Sequence, residues 1–241
     1  MLQSVFLLNE KQKKFKIMTM KFLKSMLLVA VLVAFSSCKD KADAATTSEI
    51  EEAAKMESTS ITYNVSVEES TINWKGFKPT GTHTGTISIQ EGTMSANADG
   101  LESGSFIIDM KSINVTDLAS GEGKENLEAH LMGTVEGKEG DFFNVNQFPT
   151  ANFVITGIKA TENGMAKLSG NLTLKGKTQN VSFPVSIYDE GDKMTLKSDS
   201  FTIDRTKWGI TYGSKSFFDN LGDKFINDEM ELQILVIAKK A

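Results

Sequence analysis

Few side chains in this 241-residue chain are equipped for chemistry, and they lie far apart. The single cysteine, Cys38, closes the run MKFLKSMLLVAVLVAFSSCKDK, which begins at Met20. Lys21 and Lys24 give it a basic start, residues 26–35 an apolar core, and Ser36 and Ser37 a small-residue cut site, the pattern of an export signal. Its core of about ten residues falls short of the roughly 17–25 that a membrane-spanning helix needs. A thiol at the cut site is a nucleophile suited to covalent lipid attachment; the plainer alternative is an export signal with a chance cysteine. Two histidines, His83 and His130, are too widely separated to form a zinc set, and no thiol remains to complete one once Cys38 is acylated. Asp204, Arg205, Lys207 and Trp208 combine charge with an aromatic ring. Arg205 can pair with Asp109 or Asp204 and lock strands together. Alternatively, Arg205 and Lys207 can meet a phosphate. Neither a glycine-framed nucleophile nor a helix-borne metal pair is present, so no enzyme activity, metal or cofactor is expected.

Charge narrows the partners. Residues 1–19 carry a further basic cluster ahead of Met18 and Met20, and translation is expected to start at one of these methionines. The first 37 residues hold six lysines and one glutamate. The remainder therefore has 20 basic and 30 acidic side chains, a formal charge of −10 against −5 for the whole chain. That excess argues against nucleic acid and against a polybasic membrane surface. With Cys38 acylated no internal disulfide can form, and stability must come from the core. Residues 38–60, small and charged, read as a lipidated cysteine and a flexible tether, with a short helix over 48–56 as the only local structure.

Residues 61–241 form the domain that must position everything else. Apolar residues recur there with period two: Ile72 and Trp74; Phe106, Ile108 and Met110; Leu168, Gly170, Leu172 and Leu174; Val181, Phe183, Val185 and Ile187; Met230, Leu232, Ile234, Val236 and Ala238. Each series describes a strand with one buried face. Turn residues at 97–100, 162–164, 175–177 and 189–192 separate them. At least eight strands with short links imply an all-β, antiparallel architecture, either a sandwich or a closed barrel. Pro184 marks an edge, a bulge or the end of a ladder. Leu127 and Leu131, four apart behind a glycine-rich lead, predict one short helix within 118–131.

Several longer runs are specific in combination: WKGFKPTGTHTGTI from Trp74, SFIIDMKSINVTDL from Ser105, ENLEAHL from Glu125, DFFNVNQFPTANF from Asp141, GNLTLKGKTQNVSFP from Gly170 and IDRTKWGITYGSKSFFD from Ile203. Together they resemble the YceI-like family of periplasmic polyisoprenoid-binding proteins, and especially its lipid-anchored Bacteroidetes members. The region around Cys38 likewise resembles a bacterial lipoprotein signal, with diacylglycerol on the thiol and an acyl chain on the new amino terminus. The resemblance implies an elongated lipocalin-like β-barrel of about eight strands with one short helix. It also implies a non-covalent isoprenoid of quinone or polyprenyl type in the lumen.

Candidate lumen residues are then Trp74, Phe106, Ile108, Phe153, Leu172, Phe183, Phe201 and Ile203, each equally readable as plain core. Phe142 and Phe143, like Phe217 and Phe218, suit the entrance. The resemblance places His83 near the mouth, where it either meets a head group or holds a turn; His130 reads as an anchor for the helix. Arg205, Lys207 and Trp208 complete the candidates. Two other functions compete: an envelope interaction domain whose core is filled by its own side chains, and fatty-acid or amide binding. The expected location is the outer membrane facing the periplasm, with surface exposure as the alternative. The identity of any protein partner is left open by the sequence.

Overall fold

The computed structural model describes residues 42–161 and 164–241. The export signal, Cys38 and the turn residues Glu162 and Asn163 lie outside them. Twelve strands occur among the described residues. They are β1 (Asp43–Ala44), β2 (Thr46–Ser48), β3 (Ile61–Val65), β4 (Thr71–Lys78), β5 (Gly81–Asn97), β6 (Gly100–Val115), β7 (Thr150–Ala160), β8 (Ala166–Leu174), β9 (Lys177–Asp189), β10 (Lys193–Ser198), β11 (Phe201–Asp204) and β12 (Glu229–Lys240). One helix, α1 (Lys124–Met132), and a 3₁₀ turn (Arg205–Trp208) complete the secondary structure.

The sheet closes on itself. From β5 to β10 each strand pairs antiparallel with its successor, β10 pairs with β12, and β12 meets β3 and β4, which both pair with β5. The strand count exceeds the expected eight for a definite reason. β3 and β4 occupy one position in the wall, broken at residues 66–70, because both run between β5 and β12. β10 and β11 likewise share one position along β12. Setting aside the two shortest strands, the wall has eight positions, the number that leaves an interior just wide enough for side chains or one slim ligand.

β1 and β2 correct the expected tether. Where β11 diverges from β9, β1 pairs in parallel with β11 (Asp43 with Phe201), and β2 pairs antiparallel with β9 (Thr46 with Ser182). The segment fills the seam that the broken strand would leave open. Ala45 N–H donates to Thr202 O at 2.8 Å, and Ala45 packs on the core. Beyond the seam the chain runs outside the barrel without forming the helix considered for 48–56. Asn171 bonds Glu51 through both backbone groups, and Ala54 N–H donates to Ile155 O. A polar segment with no apolar face gains more from these barrel partners than from bonds within itself. Pro184 sits where β9 changes outer partner from β10 (ending at Val185) to β2 (beginning at Ser182), so its missing N–H forfeits no bond on that side.

The core is divided along the barrel axis. At one end Tyr63, Met94, Ala96, Met194 and Ala238 are almost fully buried and fill the lumen. Tight turns close that end. At the other, two long connections, residues 116–149 and 205–228, arch over the strand ends. α1 lies in the first. It starts at Lys124, inside the expected 118–131 stretch, because Gly121 and Gly123 adopt positive φ (78° and 100°). Gly133, at φ 69°, ends it by donating to Ala129 O and His130 O. Glu128 ties the helix to the barrel by accepting from Val115 N–H at 2.8 Å.

Removing residues 42–48 exposes the facing edges of β9 and β11. Stability is expected to fall by roughly 3 kcal/mol, from a handful of backbone bonds at about 0.5–1.5 kcal/mol each. Urea titration of the shortened and full chains measures this, and an unchanged midpoint would show the segment to be a passive tether.

Candidate functional site

The half of the barrel beneath the two long connections is hollow. A cavity of about 430 Å³ lies there, within the range of small-molecule sites. Twelve of the sixteen residues expected at the lumen or its entrance line it: Trp74, His83, Phe106, Ile108, Phe142, Phe143, Phe153, Leu172, Phe183, Phe201, Ile203 and Arg205. The lumen at this end is therefore not filled by the protein's own side chains.

Four aromatic rings cross the lining. Phe106 lies 6.3 Å from Phe153, Phe153 lies 6.0 Å from Phe183, and Phe183 stacks on Phe201 at 4.1 Å with 6° between planes. This last pair bridges the seam that β1 and β2 fill in the backbone. Phe153 belongs to β7 and Phe183 to β9, so a ring must pass over the intervening β8. Gly170 permits it, since a Cβ there would lie 2.2 Å from the Phe153 ring. Gly85 does the same for Trp74 on the opposite wall, where a Cβ would lie 2.4 Å from the indole. Glycine within a strand here marks the close approach of a neighbouring ring.

The polar residues gather at the rim. His83, which belongs to β5 and not to a turn, holds Asp117 Oδ2 through Nδ1 at 2.8 Å, while Asp117 Oδ1 accepts from Thr84 N–H. Burial works to raise the Asp117 pKa, but the Thr84 amide and His83 outweigh it and the net direction is downward. His130 anchors α1 as expected, through Nε2 to Asp141 Oδ2 at 2.7 Å. It also meets Phe142 and Tyr212 edge-on, each at 5.1 Å, and lines the cavity, a position the sequence did not disclose.

Arg205 takes the structural role among its two readings, with different partners. It is 4 % exposed and donates from Nε to Asn227 O (3.0 Å), from Nη1 to Ile210 O (2.7 Å) and from Nη2 to Ile226 O (3.0 Å). Asp228 lies 3.7 Å away and supplies the nearest countercharge, in place of Asp109 or Asp204. Asp204 instead caps the 3₁₀ turn, accepting from Thr206 N–H and Oγ1. Arg205 thus fixes both ends of the 205–228 connection by three carbonyls, a use that the planar guanidinium fork suits.

Lys207 and Trp208 do not line the cavity. The 3₁₀ turn breaks the alternation after β11, leaving Lys207 exposed on the outside and Trp208 fully buried, with its indole N–H on Leu172 O at 3.0 Å. Phe217 and Phe218 also lie outside the lining, exposed by 58 % and 50 %. The sequence reading missed Lys75, Lys78, Tyr212 and Lys224, all of which line the cavity at its rim. Lys75 and Lys78 left a weak signal in the WKGFK run, and Tyr212 and Lys224 left none.

Replacing Gly170 by alanine tests the ring arrangement. The added methyl group forces Phe153 into the lumen or the strands apart, and the variant should lose about 1–3 kcal/mol, the usual penalty of overpacking. Thermal or urea unfolding measures it; a neutral substitution would mean that Phe153 does not rest on Gly170.

Comparison with known proteins agrees with this architecture. BcnA of Burkholderia cenocepacia superimposes with a TM-score of 0.56 and 20% identity, covering 73% of this chain and 99% of that one. A polyisoprenoid binding domain from Saccharophagus degradans, implicated in plant cell wall breakdown, superimposes with a TM-score of 0.53 and 12% identity, covering 75% and 99%. At these identities the likeness is one of fold. In sequence, a UPF0312 protein of Pseudomonas aeruginosa is 42% identical over 55 residues, 23% of this chain and 28% of that protein. One from Pseudomonas putida is 41% identical over 51 residues, 21% and 27%. The matched stretch thus spans little more than a quarter of these relatives' length. Residues 63–238 match the YceI-like domain from end to end of the barrel, and the chain belongs to the YceI-like family.

Proposed function

We propose that this protein binds an isoprenoid lipid, of quinone or polyprenyl type, and carries or sequesters it in the cell envelope. The observation that carries the reading is the hollow half of the barrel, about 430 Å³ walled by aromatic and branched aliphatic side chains. A polyprenyl tail offers no hydrogen bonds, so its site needs a dry lining with polar groups only where a head group would emerge. The lumen has that distribution: Phe106, Phe153, Phe183 and Phe201 line the wall, and His83, His130 and three lysines stand at the rim. Family membership and the polyisoprenoid-binding domain with a similar fold support the same ligand class. The chemistry is binding, with no bond made or broken by the protein.

The purified protein, extracted with organic solvent and analysed by mass spectrometry, should release a polyprenyl species. Ala151→Trp, which adds an indole to a buried lining position, should reduce uptake of added isoprenoid by roughly tenfold or more while the barrel stays folded. Release of fatty acid alone, with isoprenoid failing to compete, would move the assignment to the fatty-acid reading. Equal uptake by the Ala151→Trp variant would place the ligand outside the lumen.

The envelope setting belongs to the same proposal. An acyl anchor on Cys38 holds the barrel at the outer membrane on its periplasmic side, and the −10 charge of the chain beyond residue 37 needs no basic patch for retention there. Cys38→Ser should abolish acylation, read as loss of the lipid mass on the amino terminus, and leave isoprenoid uptake unchanged. An unmodified Cys38 in the wild-type protein would refute the anchor.

A further inference from the structure

The connection between the 3₁₀ turn and β12 carries a surface that lumen binding does not explain. Phe217 and Phe218, adjacent in sequence, are exposed by 58 % and 50 %, and Tyr212 in the same connection is exposed by 40 % while also lining the cavity. Tyr212 thus belongs both to the lining and to the exposed surface of the connection that carries Phe217 and Phe218. The loop is held firmly enough to present it. Arg205 fixes both ends, Asn227 N–H donates to Phe77 O, and the Phe217 and Phe218 amides both donate to Ser214 O.

Three lysines at the mouth stand free of carboxylate partners among the described residues. Lys75, Lys78 and Lys224 line the opening, while Asp117, Asp141 and Asp228 beside it are held by His83, His130 and Arg205. Among the described residues Lys75, Lys78 and Lys224 form no ion pair. Lys215 lies over the Phe225 ring at 3.5 Å within the loop, which also carries Asp219 and Asp223. Exposed aromatic rings beside lysines suit a bilayer interface, where rings lie at head-group depth and lysines meet phosphates.

We propose that residues 209–228 form a membrane-docking loop, in which Phe217 and Phe218 enter the interface of a phospholipid bilayer while Lys75, Lys78 and Lys224 face its anionic head groups. The mouth then opens onto the bilayer, and an apolar chain passes between membrane and lumen without crossing water. The occupant follows from the cavity beneath, so the proposal rests on the lipid-binding reading, but its test is separate.

In the full chain, Phe217→Trp is mixed with vesicles of phosphatidylcholine and phosphatidylglycerol whose acyl chains are brominated. Its fluorescence should be quenched beyond that of the wild type, which supplies the Trp74 and Trp208 background, and added salt should weaken the effect. In parallel, Phe217→Ser/Phe218→Ser should take up a fluorescent isoprenoid from vesicles roughly tenfold more slowly, with uptake from detergent micelles unchanged. Both rings are exposed, so neither variant disturbs the core. Absence of extra quenching overturns the docking loop. So does a blue shift of the new tryptophan that grows with protein concentration without vesicles, which would assign the surface to a second copy of the chain. Quenching that persists when no isoprenoid is taken up from either source supports docking and sinks the lipid-carrier reading alone.

Discussion

Every backbone group along β12 must find a partner on both sides, and the strands on both sides are broken. A buried peptide group left unpaired costs about as much as a lost hydrogen bond, so each break needs a substitute. Two serines provide it. At the β10–β11 break, the fully buried Ser198 accepts the Ile234 N–H through Oγ at 2.8 Å. At the β3–β4 break, Ser70 Oγ accepts the Ile237 N–H at 3.0 Å and donates to Ile237 O, while Ser66 N–H reaches the same carbonyl. The outer side of the β10–β11 break is met differently, by β1 and β2 entering the seam. Closure of this barrel therefore depends on two hydroxyls and a borrowed segment as well as on strand pairing, and the cavity exists only because the wall closes.

That wall carries two interiors. The distal half is filled to near-zero exposure by Tyr63, Met94, Met194 and Ala238, and its contacts supply packing that the hollow half forgoes. Apolar side chains around a void lose dispersion partners on one side. The stacked Phe183 and Phe201 and the rings resting on Gly85 and Gly170 recover part of that loss, since aromatic pairs contribute about 0.5–1.5 kcal/mol beyond area burial. Glycine in the inward series of β8 thus looks like a weak point in the alternation and is a packing requirement.

Alternation made most of the lumen legible, because in a closed barrel the inward set of every strand is also the cavity set. Trp74, Phe106, Ile108, Phe153, Leu172 and Phe183 follow from period two and, with Phe201 and Ile203, line the cavity. The reading failed where period two ended. Trp208 and Lys207 lie on a 3₁₀ turn, whose three-residue repeat sends them to other sides. The partners of Arg205 are carbonyls more than twenty residues away for two of its three bonds, and a carbonyl leaves no mark in composition. β1 and β2 escaped because their pairing is backbone pairing. Asp43, Ala44, Thr46, Thr47 and Ser48 have the composition of a solvated linker, and only the open seam between β9 and β11 gives them a place.

The same seam constrains how the barrel can stand at a membrane. A twenty-residue tether would leave its orientation free. With the chain paired from Asp43 onward, only four residues separate Cys38 from the first paired position. An anchor at Cys38 would thus precede a linking stretch of four residues in place of about twenty. β11 continues from Phe201 toward the mouth and leads directly into the 3₁₀ turn and the 205–228 connection. Phe217 and Phe218 thus belong to the connection that grows from the strand beside which the anchored segment enters. β1 runs parallel to β11, so both strands come from the filled end of the barrel and run toward the mouth. The break between β10 and β11, which first reads as a defect in the wall, is what gives the amino-terminal segment its place in the sheet.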